Sequence, residues 1–316
     1  MSSRLPSSGR SKGRFAPFSP PLMSNVRHQK RQSLWHGPQS LCPLLMNRHI
    51  VNPRTLALIV VCATSLASIQ ADAACTAFAD APTNKVLKQD GVCDQRITPA
   101  STFKIAISLM GYDSGFLKDT KSPALPFQVG YPDWNPSWKT TTVPASWMKN
   151  SVVWYSQRVT ESLGKERFAR YVHAFNYGNE DVSGTPGKQD GLTRSWLSSS
   201  LKISPQEQLT FLAKIVRREL PISPLAYAMT ARLTEVATLP NGWKVYGKTG
   251  TGAATKDDGS EDWEHSIGWF VGWAVKGSRS IVFVRQIQDE KEETTYAGPR
   301  ARDDFLRELP SMLDAL

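Results

Sequence analysis

Two apolar runs near the C-terminus constrain the fold of this 316-residue chain more than any other feature. Residues 266–275 read Ser-Ile-Gly-Trp-Phe-Val-Gly-Trp-Ala-Val, and residues 280–287 read Ser-Ile-Val-Phe-Val-Arg-Gln-Ile. Both are rich in β-branched and aromatic residues, and Lys276-Gly277-Ser278 between them is turn chemistry, so the pair reads as an antiparallel hairpin. Residues 243–247 alternate in a further strand, and residues 76–79 and 85–87 read as short strands around the turn at 80–84. The spacing predicts helices over 151–163, 165–175, 205–218 and 224–236. A closing amphipathic helix over 300–313 turns Phe305, Leu306, Leu309 and Leu313 inward. Strands at both ends with helices between them imply an α+β fold. A central antiparallel sheet is flanked by N- and C-terminal helices and carries an inserted all-helical subdomain at roughly residues 130–240.

The formal charge of +10 would suggest a nucleic-acid ligand if it were spread over this fold. It is not. Nine of the 38 basic residues but only one acidic residue, Asp72, lie in residues 1–73, so the remainder is nearly neutral and nucleic acid is not an expected partner. Residues 46–73 have the make-up of a secretory signal peptide. A short basic segment (Arg48, Arg54) precedes an uncharged apolar stretch over 55–69, and Ala71-Asp72-Ala73 fits a small-x-small cleavage site. The apolar stretch is short for a bilayer span, so no stable membrane insertion is expected after cleavage; a retained signal anchor is the alternative. Residues 1–45 are rich in Ser, Pro and Arg, without an acid or a hydrophobic period, and read as a disordered or non-native extension ahead of a start at Met46. The expected domain is therefore 74–316, in the periplasm. Cys75 and Cys93 are the two of four cysteines beyond the leader, and in an oxidising compartment an even pair reads as a disulfide, two buried thiols being the alternative.

Ser101-Thr102-Phe103-Lys104 places a hydroxyl and an amine one helical turn apart on one face. Serine is a weak nucleophile at neutral pH and needs an adjacent base, which an unprotonated lysine supplies. The region after residue 74 has only two histidines, His173 and His265, neither near an obvious nucleophile, and it has no His-x-x-x-His or Cys-x-x-Cys pair. A Ser-His-Asp triad and a bound metal are thus disfavoured, and lysine-activated serine chemistry leads.

Further segments complete the pattern in order: Ser151-Val152-Val153, Tyr177-Gly178-Asn179, Ser195-Trp196-Leu197 and Lys248-Thr249-Gly250-Thr251-Gly252. Together with Pro99-Ala100-Ser101-Thr102-Phe103-Lys104-Ile105 they make the region after residue 74 resemble the class D, oxacillinase-type, serine β-lactamases over nearly its full length. Val153 stands where class A enzymes and most penicillin-binding proteins carry Asn.

The resemblance implies a β-lactamase/transpeptidase-like fold and a set of roles. Ser101 forms the acyl-enzyme. Lys104, carboxylated by carbon dioxide, is the base that activates water, and the Trp196 indole donates to its carbamate. Ser151 and Lys248 pass a proton to the leaving nitrogen. The backbone N–H groups of Ser101 and Thr251 form an oxyanion hole, and Val153, Thr249, Gly250, Thr251 and Arg300 are expected at the substrate, with Arg300 on its carboxylate. Gly250 and Gly252 are read as letting substrate approach the strand. Expected partners are small β-lactams, with no metal or organic cofactor beyond carbon dioxide. The alternatives are a β-lactam sensor domain and a D,D-peptidase. Oligomeric state and substrate range are not readable from these motifs.

Overall fold

The computed structural model describes residues 75–316 apart from Asp257, so the expectations for residues 1–73 lie outside the described residues. Its strands are β1 (Cys75–Asp80), β2 (Val86–Gly91), β3 (Glu235–Thr238), β4 (Lys244–Thr255), β5 (Glu261–Lys276) and β6 (Arg279–Gln288). They form one sheet in the order β2-β1-β6-β5-β4-β3, with every neighbouring pair antiparallel. Five longer helices join them: α1 (Lys104–Asp113), α3 (Val153–Phe175), α5 (Pro205–Arg217), α6 (Pro224–Thr234) and α7 (Ala297–Asp314). The short helices α2 (Pro144–Asn150) and α4 (Gly191–Arg194) complete the set.

The apolar run of β5 has no polar face because both faces of the sheet are covered. Trp269, Val271 and Trp273 enter a core shared with α1, α3 and α5, whereas Phe270 and Ala274 point into a second core beneath α7. In that second core the ring of Phe305 lies 5.7 Å from Phe78, 6.0 Å from Phe270 and 5.1 Å from Phe283. Cys75 and Cys93 are joined in a disulfide with their Cα atoms 5.2 Å apart, which pins the start of β1 to the chain leading into Ser101. Closing a loop of this length contributes on the order of 3 kcal/mol in the chain-entropy account. No helix among the described residues is long and apolar enough to cross a membrane.

Sequence and structure part at three places. The helical pattern at 224–236 ends at Thr234, and the next four residues become edge strand β3, paired through Glu235↔Tyr246 and Thr238↔Lys244. Cross-strand pairing here outweighs local helical preference. The helices predicted over 151–163 and 165–175 are one helix, α3, which starts at Val153 and is broken at Gly164, whose φ of 73° no helix accommodates. Lastly, the strand predicted over 243–247 runs on to Thr255, so Lys248-Thr249-Gly250 lies inside β4, which stays paired with β5 past a register shift between Gly252 and Ala254.

Phe305 is fully buried. Phe305→Ala should therefore cost about 3–5 kcal/mol of unfolding free energy in urea, while Lys104 and its surroundings, which sit in the other core, keep their geometry.

Candidate active site

The Ser101 turn owes its shape to tight local bonding. Ala100 takes a positive φ of 47°, a conformation that residues other than glycine rarely adopt, and residues 100–103 wind as a 3-10 turn into α1. Thr102 closes the turn, donating from both its N–H and its Oγ1 to the Pro99 carbonyl at 3.1 and 2.7 Å. Lys104, the first residue of α1, is buried completely, and its Nζ donates to Ser101 Oγ at 3.0 Å.

Ser151 approaches from the helical side. It caps α2 in a left-handed conformation with φ 56° and ψ 35°. Lys248 reaches it from β4: Nζ donates to Ser151 Oγ at 3.1 Å and to the Thr249 carbonyl at 3.0 Å. Strand β3 pairs with β4 only as far as Tyr246, so the edge of β4 carrying Lys248 to Gly252 has no strand neighbour on that side. The Ser101 turn packs over the face of this stretch. A Cβ on Gly250 would stand 3.0 Å from the Pro99 carbonyl oxygen, and one on Gly252 would stand 2.8 Å from Thr98 Cγ2. These glycines allow the Ser101 turn to come close to the strand.

Trp196 is fully buried, tilted against Phe103 with ring centroids 5.6 Å apart. Among the described residues, its Nε1 and the Oγ of Ser195 are buried without a hydrogen-bond partner. Tyr177 stacks edge-on to Phe103 at 4.9 Å and accepts from Gln208 Nε2, which also donates to Thr102 Oγ1, so Tyr177 braces the turn from behind. Val153 is buried in the core at the start of α3.

The two arginines two residues apart on α7 part company. Arg300 grips the buried Asp289 carboxylate through Nη2 at 2.6 and 2.7 Å. Arg302 bonds only Asp303 among the described residues, through Nε, and helps line a cavity of about 530 Å³ together with Lys248 and Thr249. Two residues turn a helix by about 200°, so only one of the pair can face β4. Both histidines are occupied elsewhere, His173 with Glu180 and His265 with Asp262.

Thr98 and Ser198 had no signal beyond their place beside the motifs. Thr98 Oγ1 accepts from the backbone N–H of Ala100 and Ser198 and donates to the Trp196 carbonyl, and the Thr98 carbonyl accepts from the Trp269 indole at 3.0 Å. Ser198 Oγ in turn accepts from the N–H of Ala253 on β4 at 3.2 Å. One loop residue thus ties the Ser101 turn, the Trp196 segment and the sheet together.

A model of the penicillin binding protein transpeptidase domain matches residues 70–310. The chain is 44% identical over 244 residues to β-lactamase OXA-9 of Klebsiella pneumoniae, covering 76% of this chain and 88% of that protein. To β-lactamase OXA-1 of Escherichia coli it is 38% identical over 219 residues, covering 66% and 74%. Among solved structures, the OXA-427 class D β-lactamase superposes with a TM-score of 0.73 at 50% identity, covering 76% of this chain and 98% of that one. A class D β-lactamase from Bacillus subtilis gives 0.62 at 30% identity, covering 75% and 90%.

Burial governs the charge state of both lysines. Desolvation, assisted by the nearby Lys248 charge, pushes the Lys104 amine well below the usual lysine range. Desolvation, with Arg302 adding to it, lowers Lys248 to about 7. Each folded-state value lies below that of the unfolded chain, so the native state binds fewer protons and stability through these groups rises with pH. For Lys248 the window runs from about 7 to the unfolded value of about 10.4. In bicarbonate-free buffer, Lys248→Met should flatten urea-unfolding stability over that window by up to about 1.4 kcal/mol per pH unit, with no such change below it. An unchanged slope would show that Lys248 keeps its proton in the folded protein.

Proposed function

The chain belongs to the class D β-lactamase family and hydrolyses the β-lactam ring, and we propose that it does so through an acyl-enzyme on Ser101. The single observation that carries this mechanism is the fully buried amine of Lys104 within hydrogen-bond reach of the Ser101 oxygen. The Lys104 side chain, carboxylated by carbon dioxide, takes the hydroxyl proton as Ser101 Oγ attacks the lactam carbonyl to give a tetrahedral oxyanion; the C–N bond breaks as that intermediate collapses, and the carbamate returns the proton to the Ser151–Lys248 pair. The leaving nitrogen receives its proton from Ser151, recharged by Lys248, whose lowered pKa of about 7 lets it give up and regain a proton near neutrality. The N–H groups of Ser101 and Thr251 would hold the developing oxyanion, Thr251 lying on the edge of β4 that β3 leaves uncovered.

Deacylation needs a base that can activate water, and a carboxylated Lys104 would supply it. The residues fit the modification: the amine is held neutral and can add carbon dioxide, losing a proton. Nearby, the Trp196 indole N–H and the Ser195 hydroxyl are buried without partners, which is costly unless an acceptor is provided. Carbon dioxide is then the only small molecule required, and no metal enters the scheme. For the substrate carboxylate, Thr249 and Arg302 are better placed than Arg300, which Asp289 already holds. The leader pattern over 46–73 supports export to the periplasm, where β-lactam antibiotics are met and resistance is conferred.

Ser101→Ala should abolish release of hydrolysed chromogenic cephalosporin, and Lys104→Ala should leave at most one slow stoichiometric burst. With wild type at mildly acidic pH, added bicarbonate should raise steady turnover of a penicillin. Turnover indifferent to bicarbonate would sink the carbamate as the deacylating base while leaving Ser101 in place.

A further inference from the structure

The cavity that shares the Lys248–Thr249 wall has a charge that recognition of one carboxylate does not use up. Besides Lys248 and Arg302 it is lined by Lys149, from the end of α2, and Arg232, from the last turn of α6, against a single acid, Glu235. Lys149 and Arg232 are exposed, and neither makes an ion pair or a side-chain hydrogen bond among the described residues. Several other surface arginines are paired, as in Arg96 with Glu207, Arg217 with Glu219 and Arg307 with Asp304, whereas the exposed Arg218 and Arg279 lie over aromatic rings away from this cavity. Uncompensated like charges around a concavity focus the field and raise the local concentration of anions.

The geometry points to this cavity as a second anion subsite, taking an acidic substituent carried on the ring beside the substrate carboxylate. This rests on the β-lactam-hydrolysing reading and deepens it. In a cephalosporin the carbon bearing the carboxylate is bonded to the carbon bearing the C3 substituent. With the carboxylate at Thr249 and Arg302, that substituent enters the space walled by Arg232 and Lys149. The volume of about 530 Å³ exceeds what one carboxylate needs and falls within the range of small-molecule subsites. The preferred substrates are accordingly cephalosporins with an anionic C3 arm. The gain is mainly in binding, since the arm is remote from the bonds that change.

The test is a pair of cephalosporins that differ in charge alone, one with a 3-carboxymethylsulfanylmethyl arm and the other its methyl ester at that arm. Wild type should favour the acid by about five- to tenfold in kcat/KM, the worth of two partly exposed ion pairs, with the difference in KM and not in kcat. The double variant Arg232→Ala, Lys149→Ala should bring the ratio to about one and leave hydrolysis of the ester within twofold of wild type, and Arg232→Glu should invert the preference. At about 1 M sodium chloride, where the screening length is about 3 Å, the wild-type preference should disappear. That salt arm decides the matter should the variants fail to fold. If either cephalosporin turns over too slowly, its competition against penicillin hydrolysis gives the same ratio. A wild-type ratio near one, or a preference that survives the double variant or high salt, overturns the subsite. An enzyme that hydrolyses no β-lactam at all refutes the underlying activity instead.

Discussion

A lysine amine buried without any exposure beside a serine oxygen is the constraint on which the rest of this structure depends. An ammonium ion cannot be left unpaired in such a place, because the desolvation cost exceeds what one neutral hydroxyl returns. Burial therefore pushes the amine toward its neutral form, the form in which an amine is basic. Its surroundings maintain that condition: burial is complete, the neighbouring Phe103 packs against Phe168 and Trp196, and the Lys248 charge adds repulsion. Chemistry and stability pull in opposite directions at this point, as they do wherever a protein stores an uncomfortable group for use.

The two-core arrangement separates these demands. The core beneath α7, with Phe78, Phe270, Phe283 and Phe305, is built around aromatic and aliphatic side chains and supplies packing. The other core holds Lys104, Ser108, Ser156, Gln208 and the unpartnered Trp196 and Ser195 groups, and so carries the polar cost of the site. The sheet between them transmits position. Gly298 on α7 donates to Thr251 Oγ1 on β4 and lies so close that a Cβ would reach 2.4 Å from the Gly250 carbonyl. The helix of the dry core thereby fixes the strand that borders the wet one.

How far all this was legible follows from which physics each feature obeys. The hairpin of β5 and β6 and the closing helix were readable because their periodicity is local and strong. Ser101 and Lys104 were readable as a pair because three residues make one turn. The meeting of Ser151 with Lys248, 97 positions apart, is a product of tertiary folding, and only the order of family motifs suggested it. Strand β3 escaped notice because Glu235–Thr238 is short, largely exposed and without alternation, its state decided by pairing with β4. The separate fates of Arg300 and Arg302 also lay beyond sequence. They depend on which face of α7 meets the sheet and on the buried Asp289, and neither is encoded next to the arginines.

Thr98 has a consequence for motion. One hydroxyl and one carbonyl bond to Ala100, Trp196, Ser198 and Trp269, so the nucleophile turn cannot open while the tryptophan segment and the sheet stay shut. In the language of native-state hydrogen exchange these segments form one cooperative unit, and their amides should share a single opening free energy. The site then behaves as a block that is either assembled or absent, with little population of half-formed states in which a buried, proton-poor lysine meets water without its serine.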